Sequence, residues 1–257
     1  MATVISFSSQ KGGVGKTTSA MHLATAFAIG GYQVLLIDTD PQGSVGATLG
    51  IQEKPKTGIL ELYCQKGATL LDVKTSSHLE NLDLILSNLD RLAAEQEVLK
   101  AANDFHCLNQ WIQNNAVDQY DFIIIDPPAS TGPISINALI ASALIVVPLQ
   151  CEALAVKSLK RFLMAFNDLQ KNIAPTLRIA GILLTMYDRN IPSHRLICKQ
   201  VYASLQDVVF KTIIPKCPHI IEASTVGKDV ITRSLRSVGA TGYIRLANEM
   251  LERFNLG

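Results

Sequence analysis

The stretch at residues 8–22 runs "SSQKGGVGKTTSAMH". It carries Gly12, Gly13 and Gly15 together with two lysines, Lys11 and Lys16, five positions apart. Just before it, "TVISFSS" (3–9) is rich in β-branched and aromatic residues and reads as a buried strand. Just after it, Ala20, Leu23, Ala24, Phe27 and Ala28 recur at helical spacing, and Gly30-Gly31 stops the helix. A strand, a glycine turn and a helix in that order make a site for nucleotide phosphates. Successive backbone N–H groups point into the turn, and the helix N-terminus adds partial positive charge. The glycines permit close approach and positive φ. Lys16 is placed to reach the β- and γ-phosphates of a nucleoside triphosphate, and the Thr17 hydroxyl to bind Mg²⁺.

Further along the chain, "QVLLID" (33–38), "LDLILS" (82–87), "FIIID" (122–126), "ALIVVPL" (143–149), "IAGILLT" (179–185) and "VVFKTIIP" (208–215) read as further strands. Leu159, Phe162, Leu163 and Phe166 mark one later helix, and Ile244, Ala247, Leu251 and Phe254 another. Continuous apolar strands alternating with helices imply a parallel sheet covered on both faces, an α/β three-layer sandwich. With no linker, repeat or low-complexity segment, residues 1–257 are expected to form a single domain.

Composition narrows the class. Apolar residues make up 48%, which excludes a disordered chain. No apolar run approaches about 18 residues, and "MATVISFSSQ" is too polar for a signal peptide. Cys64, Cys107, Cys151, Cys198 and Cys217 are scattered, as expected of buried thiols in a reducing cytoplasm. The five histidines, His22, His78, His106, His194 and His219, lack metal-ligand spacing and read as surface or core residues. A net charge of +1 hides an asymmetry. Residues 1–156 hold 8 Lys+Arg against 15 Asp+Glu, whereas residues 157–257 hold 15 against 7. A basic second part favours polyanions.

Two strands end in carboxylates. "LLIDTDPQGS" (35–44) puts Asp38 and Asp40 at the end of the second strand, on the same side by alternation and facing the crevice beyond the sheet. "FIIIDPPAS" (122–130) ends in Asp126, the Walker B pattern in which a carboxylate reaches Mg²⁺ through water.

The phosphate loop departs from G-x-x-x-x-G-K-[ST], since Gln10 stands at the first glycine position. The form "SQKGGVGKTT" instead resembles the deviant Walker A P-loop NTPases of the ParA/MinD group, and the ParA partition ATPases in particular. The segments "DTDPQGS", "INALIASALIVVPLQCEALAV" (136–156) and "GILLTMYD" (181–188) resemble the same family, so the likeness covers almost the whole chain. It departs after Asp126, where D-P-P-A-S replaces the usual D-x-P-P-S.

The resemblance implies an ATPase that uses ATP and Mg²⁺ and forms a homodimer when ATP is bound. Lys11, Gly12, Gly13, Val14, Gly15, Lys16, Thr17 and Thr18 would line the phosphates, with Lys11 crossing to the partner subunit's nucleotide. Asp40 would orient or activate the attacking water, and Lys11, Lys16 and Asp40 form the implied catalytic set. Thr17, Asp38 and Asp126 are implied for the magnesium shell, with Asp38 supporting either that shell or the loop, and Met186 and Pro215 would frame the adenine.

Three outputs compete. A ParA-type switch would coat nonspecific DNA on the nucleoid, through Arg189, Arg195, Lys199, Lys216, Lys228, Arg233 and Arg236, and be released by a ParB-like centromere-binding partner. A relative of that type could instead position another cargo, such as a protein organelle or a chemoreceptor cluster. A MinD-like membrane switch needs a basic amphipathic C-terminal helix, but "GYIRLANEMLERFNLG" balances Arg245 and Arg253 against Glu249 and Glu252, so no membrane partner is expected. An iron–sulfur reductase would need a cysteine pair from each subunit, which the scattered cysteines do not suggest. The first strand begins near residue 3, so the chain is expected to be a short, Soj-like member without an N-terminal helix-turn-helix extension.

Overall fold

The computed structural model describes residues 1–51, 53–152 and 154–256; Ala153, inside the 136–156 segment, and Gly257 lie outside the described residues. The strands are β1 (Thr3–Phe7), β2 (Val34–Asp38), β3 (Thr75–Ser76), β4 (Leu82–Ile85), β5 (Phe122–Asp126), β6 (Leu144–Gln150) and β7 (Arg178–Thr185). The helices are α1 (Lys16–Ile29), α2 (Ser44–Thr48), α3 (Ile59–Cys64), α4 (Leu70–Val73), α5 (Leu92–Ala101), α6 (Cys107–Asn115), α7 (Pro133–Ala141), α8 (Ala155–Asn172), α9 (Pro192–Leu205), α10 (Pro218–Thr225), α11 (Val230–Arg233) and α12 (Val238–Phe254). The seven strands form one sheet in the order β3-β4-β2-β5-β1-β6-β7, parallel except for β3.

The strands are apolar throughout because both faces are covered. Ile5, Leu36, Ile124 and Val146 pack with α1 and α12, while their neighbours Val4, Leu35, Ile37, Ile123 and Ile125 pack with α3 to α7. Ile145, Val147, Ile182 and Leu184 pack with α8 and α9. The topology places the site. From β1 the chain passes over β5 to β2, whereas β6 lies on the other side of β1. The strand order therefore reverses around β1, and a crevice opens beyond its C-terminal end. The turn after β1, the loop after β2 and the end of β5 meet there, and Asp38 stands directly opposite Asp126 in the β2–β5 register.

Several sequence expectations need correction. The segment 208–215 is not a strand. A 3₁₀ turn occupies Gln206–Val208, and only isolated bridges, Ile182 to Val209 and Tyr187 to Pro215, join residues 209–215 to the β7 side. The physical reason lies in where its polar groups go. Phe210 N donates to Ile182 O and Ile214 N to Leu184 O, but between them Lys211 N and Thr212 N donate to the Glu249 carboxylate. The Val209 and Phe210 carbonyls accept from Arg253 and from the Tyr202 hydroxyl. Side chains replace the ladder. The strands expected over 3–9 and 82–87 end at Phe7 and Ile85, and the two-residue β3 carried no recognisable pattern. Of the five thiols expected to be buried, Cys151, Cys198 and Cys217 are, but Cys107 is half-buried and Cys64 is exposed.

Candidate nucleotide-binding site

The turn between β1 and α1 adopts the shape its glycines allow. Gly13 and Gly15 have φ of 75° and 88°, in the left-handed region that side-chain-bearing residues rarely enter. A Cβ on Gly12 or Gly13 would meet nothing within 4 Å among the described residues, so the turn faces open space on that side. Gly15 caps α1, and among the described residues no side chain caps the helix N-terminus. The first N–H groups of α1 are thus free to hold an anion. Val14 is buried, and its carbonyl accepts from the Thr185 hydroxyl at 2.9 Å, which fastens the turn to the end of β7.

The two lysines part company. Lys16, the first residue of α1, is only 8% exposed. Burial pushes its pKa below the ordinary lysine value, while the Asp126 and Asp40 carboxylates push it back up. It is a buried cation facing a pair of anions. Lys11 stays at the surface and forms an ion pair with Glu152, both side chains being more than two-fifths exposed. Thr17 and Thr18 are half-buried on the first turn of α1.

The three carboxylates differ in what occupies them. Asp38 is fully buried, and both its oxygens are engaged: Asp40 N donates to Oδ1 at 3.1 Å and Val45 N to Oδ2 at 3.0 Å. Burial, reinforced by Asp126, holds the Asp38 carboxyl well above the usual carboxylate range. Asp38 therefore ties the loop after β2 to the start of α2, and of its two expected roles this geometry supplies the loop one. Asp40 is half-buried and accepts from Gln42 N at 3.0 Å.

Asp126 is fully buried at the end of β5, yet neither of its oxygens has a hydrogen-bond partner among the described residues. An orphaned buried carboxylate is costly and calls for a cation. Burial pushes its pKa up to about 7; the Thr17 hydroxyl and Lys16 hold it down, and Asp40 adds to the rise. A hydroxyl and a carboxylate are hard oxygen donors, so these residues fit a hydrated magnesium ion.

This has a measurable consequence. Without nucleotide or magnesium, the folded-state pKa of Asp126 lies above that of the unfolded chain, so stability is lost as pH rises through about 7. Asp126→Asn is expected to melt like the parent protein near pH 4 and several degrees higher at pH 8, a gain on the order of 2 kcal/mol. Thermal melts at the two pH values check this, and a difference independent of pH would show that the ionised carboxylate is not the cause.

The remaining expected residues lie apart from the phosphate turn or beside it. Met186 has φ of 52°, and its Cε would contact a Cβ placed on Gly15 at 3.6 Å, so it flanks the phosphate turn. Pro215 is half-buried beside Tyr187. Arg189, Arg195, Lys199, Lys216, Lys228, Arg233 and Arg236 all reach the surface, and none has a carboxylate within 4 Å among the described residues. No motif in the sequence distinguishes His22 from the other four histidines. It is 1% exposed and bonded at both ring nitrogens, to α1 and to α11. Its position six residues after Lys16 was the only available signal.

A glycine turn opening α1, a buried lysine and an orphaned strand-end carboxylate define a P-loop nucleotide-binding protein. A family model described as an AAA domain matches residues 2–179. The sporulation initiation inhibitor protein Soj of Bacillus subtilis is 37% identical over 251 residues, covering 97% of this chain and 98% of that protein. The chromosome partitioning protein ParA of Caulobacter vibrioides is 34% identical over 251 residues, covering 97% and 94%. The crystal structure of cobyrinic acid a,c-diamide synthase from Mycobacterium smegmatis with bound ADP and magnesium superposes with a TM-score of 0.81 at 29% identity, covering 99% of this chain and 96% of that one. The chain belongs to the ParA/Soj family of partitioning ATPases.

Proposed function

We propose that the chain is a DNA-partitioning ATPase that works as an ATP-gated homodimer. The observation that carries the reading is the division of labour between the two lysines of one loop. Lys16 is buried with Asp126 nearby, and Lys11 stands at the surface, its side chain held among the described residues by a single exposed ion pair. An exposed pair of this kind is worth little, about 0–1 kcal/mol, so Lys11 is easily withdrawn towards a phosphate presented by a second subunit. A γ-phosphate enclosed by cations from two chains joins them, and its hydrolysis loosens them.

Within one subunit the free N–H groups of α1 and the turn hold the β- and γ-phosphates, and Lys16 neutralises them. Thr17 and Asp126 would hold magnesium, which when bound screens phosphate charge, and Asp38 keeps the loop in register. Asp40, at the mouth of the crevice, orients the attacking water. Met186 and Pro215 are assigned to the nucleotide's base side. The seven basic residues at the surface contact DNA phosphates without reading sequence, keeping the dimer on the nucleoid until a cargo-bound, ParB-like partner stimulates hydrolysis.

The membrane alternative loses support from α12. Glu249 and Arg253 are turned inward onto the 209–212 backbone and onto each other at 2.8 Å, so the helix is docked on the core. No helix among the described residues is long and apolar enough to cross a membrane.

Sedimentation with magnesium and a non-hydrolysable ATP analogue tests the proposal. A dimer with the analogue and a monomer with ADP are expected, and a monomer under both conditions would overturn it. For the DNA arm, reversing the charge at Arg189, Lys216 and Arg233 is expected to flatten the slope of log K against log salt by about 0.9 for each phosphate no longer neutralised, while sparing dimerisation. An unchanged slope would place the DNA contacts elsewhere.

A further inference from the structure

The turn between α10 and α11, residues 226–230, is gripped from two sides by elements that start in the nucleotide crevice. The first grip comes from α1. His22 Nε2 lies 3.0 Å from Val230 N. A backbone N–H can only donate, so Nε2 is the acceptor and the ring proton sits on Nδ1. Nδ1 accordingly donates to the Thr18 carbonyl, 2.6 Å away. The ring is held flat against Tyr243, with centroids 4.8 Å apart and planes 12° apart, and the Tyr243 hydroxyl is 3.2 Å from Ser19 Oγ. His22 is thus a strut of fixed length between the first turn of α1 and the start of α11.

The second grip comes from α2, whose first turn is tied to Asp38 through Val45 N. Past its end, Gly50 meets Gly227 backbone to backbone. A Cβ on Gly50 would lie 2.8 Å from Gly227 Cα, and one on Gly227 would lie 2.5 Å from Gly50 Cα. Both glycines have positive φ, 73° and 67°. No side chain stands between them to absorb a displacement, so one cannot shift towards the other without moving it.

Between the two grips, buried Asp229 caps α11, accepting from Ile231 N and Thr232 N at 2.9 Å. The same turn carries Lys228 at the surface, and Arg233 and Arg236 come within the next eight positions. The elements bearing Lys16 and following Asp40 therefore converge on one turn at the root of a basic segment, without passing through the sheet.

We propose that the 226–230 turn transmits nucleotide occupancy to the basic segment 228–236, with His22 and the Gly50–Gly227 contact as its two inputs. The part of this concerning DNA rests on the function proposed above; the mechanical coupling does not. Only elements held in two arrangements can transmit such a signal, and the rigid links fix which arrangement of the turn goes with which arrangement of the crevice.

Amide hydrogen exchange on the whole protein, with and without a non-hydrolysable ATP analogue and magnesium, tests the coupling. In the parent protein the analogue is expected to change exchange both at residues 10–18 and at residues 227–236. His22→Asn is short enough to keep the Thr18 bond and too short to reach Val230. It is expected to keep the response at 10–18 and to reduce that at 227–236 at least about fivefold. His22→Gln, whose Oε1 can reach the Val230 N–H, is expected to restore it. Gly227→Ala, forced against Gly50, should uncouple as His22→Asn does; if it does not fold, the histidine pair carries the test. An unaltered response at 227–236 in His22→Asn, or no response there in the parent, overturns the proposal. A purely structural role would lower the melting temperature in both histidine variants and leave the response intact, which also overturns it. In parallel, the ratio of DNA affinities with ATP analogue and with ADP is expected to fall about tenfold in His22→Asn. A parent protein that shows both exchange responses but no DNA affinity supports the coupling and removes the DNA reading alone.

Discussion

Lys16→Ala is expected to abolish nucleotide binding, lowering affinity for ATP with magnesium about a thousandfold. Lys16 is buried and faces Asp126 and Asp40, with Asp38 close behind. Placing a triphosphate in that crevice without the ammonium would gather phosphate charge and carboxylate charge with no buried cation from the protein. Removing one partner from such a desolvated arrangement costs about 4 kcal/mol, which corresponds to the thousandfold loss. Lys11 cannot substitute, because it lies outside the crevice against Glu152. Titration with a fluorescent ATP analogue decides the matter. Affinity within about threefold of the parent protein would remove Lys16 from the phosphate site.

Asp40→Ala is expected to leave ATP bound and stop its hydrolysis. A positioned carboxylate that orders or deprotonates water contributes about 10²–10⁴ in rate, and turnover should fall by that amount. Affinity should hold or rise, because Asp40 is an anion felt at both Lys16 and Asp126, and its removal lessens repulsion of the incoming phosphates. Under the function proposed above, the variant is expected to persist as an ATP-bound dimer on DNA. Loss of the Gln42 N bond could disturb the loop, so Asp40→Asn is the control, since its side-chain oxygen can still accept from Gln42 N. Hydrolysis at the parent rate in either variant would exclude Asp40 from the reaction.

The phosphate turn was legible because its chemistry is local. Glycines that must take positive φ, a lysine opening a helix and a carboxylate ending a buried strand each leave a mark within a few residues. The sandwich was legible for a related reason: strands covered on both faces read as unbroken apolar runs, as "FIIID" and "QVLLID" do. What escaped was long-range. Residues 208–215 have the composition of a strand, yet Glu249 and Arg253, some 40 residues on, take the polar groups that a ladder would have used. Asp38 and Asp126 looked alike as strand-end carboxylates, and only the backbone donors at Asp40 and Val45 separate the occupied one from the orphaned one. His22 carried no motif because its partner, Val230, is 208 positions away.

The 208–216 segment also bears on solubility. β7 ends the sheet, and a bare terminal strand offers a row of unsatisfied donors and acceptors to any other chain, a template for aggregation. Here that row is covered by an irregular stretch that a single helix, α12, clamps in place through one carboxylate and one guanidinium. On the opposite border the two-residue antiparallel β3 is too short to recruit a partner. Cutting the chain before Val238 removes both this clamp and the α12 side of the core, and sedimentation is expected to show copies associating rather than a smaller monomer.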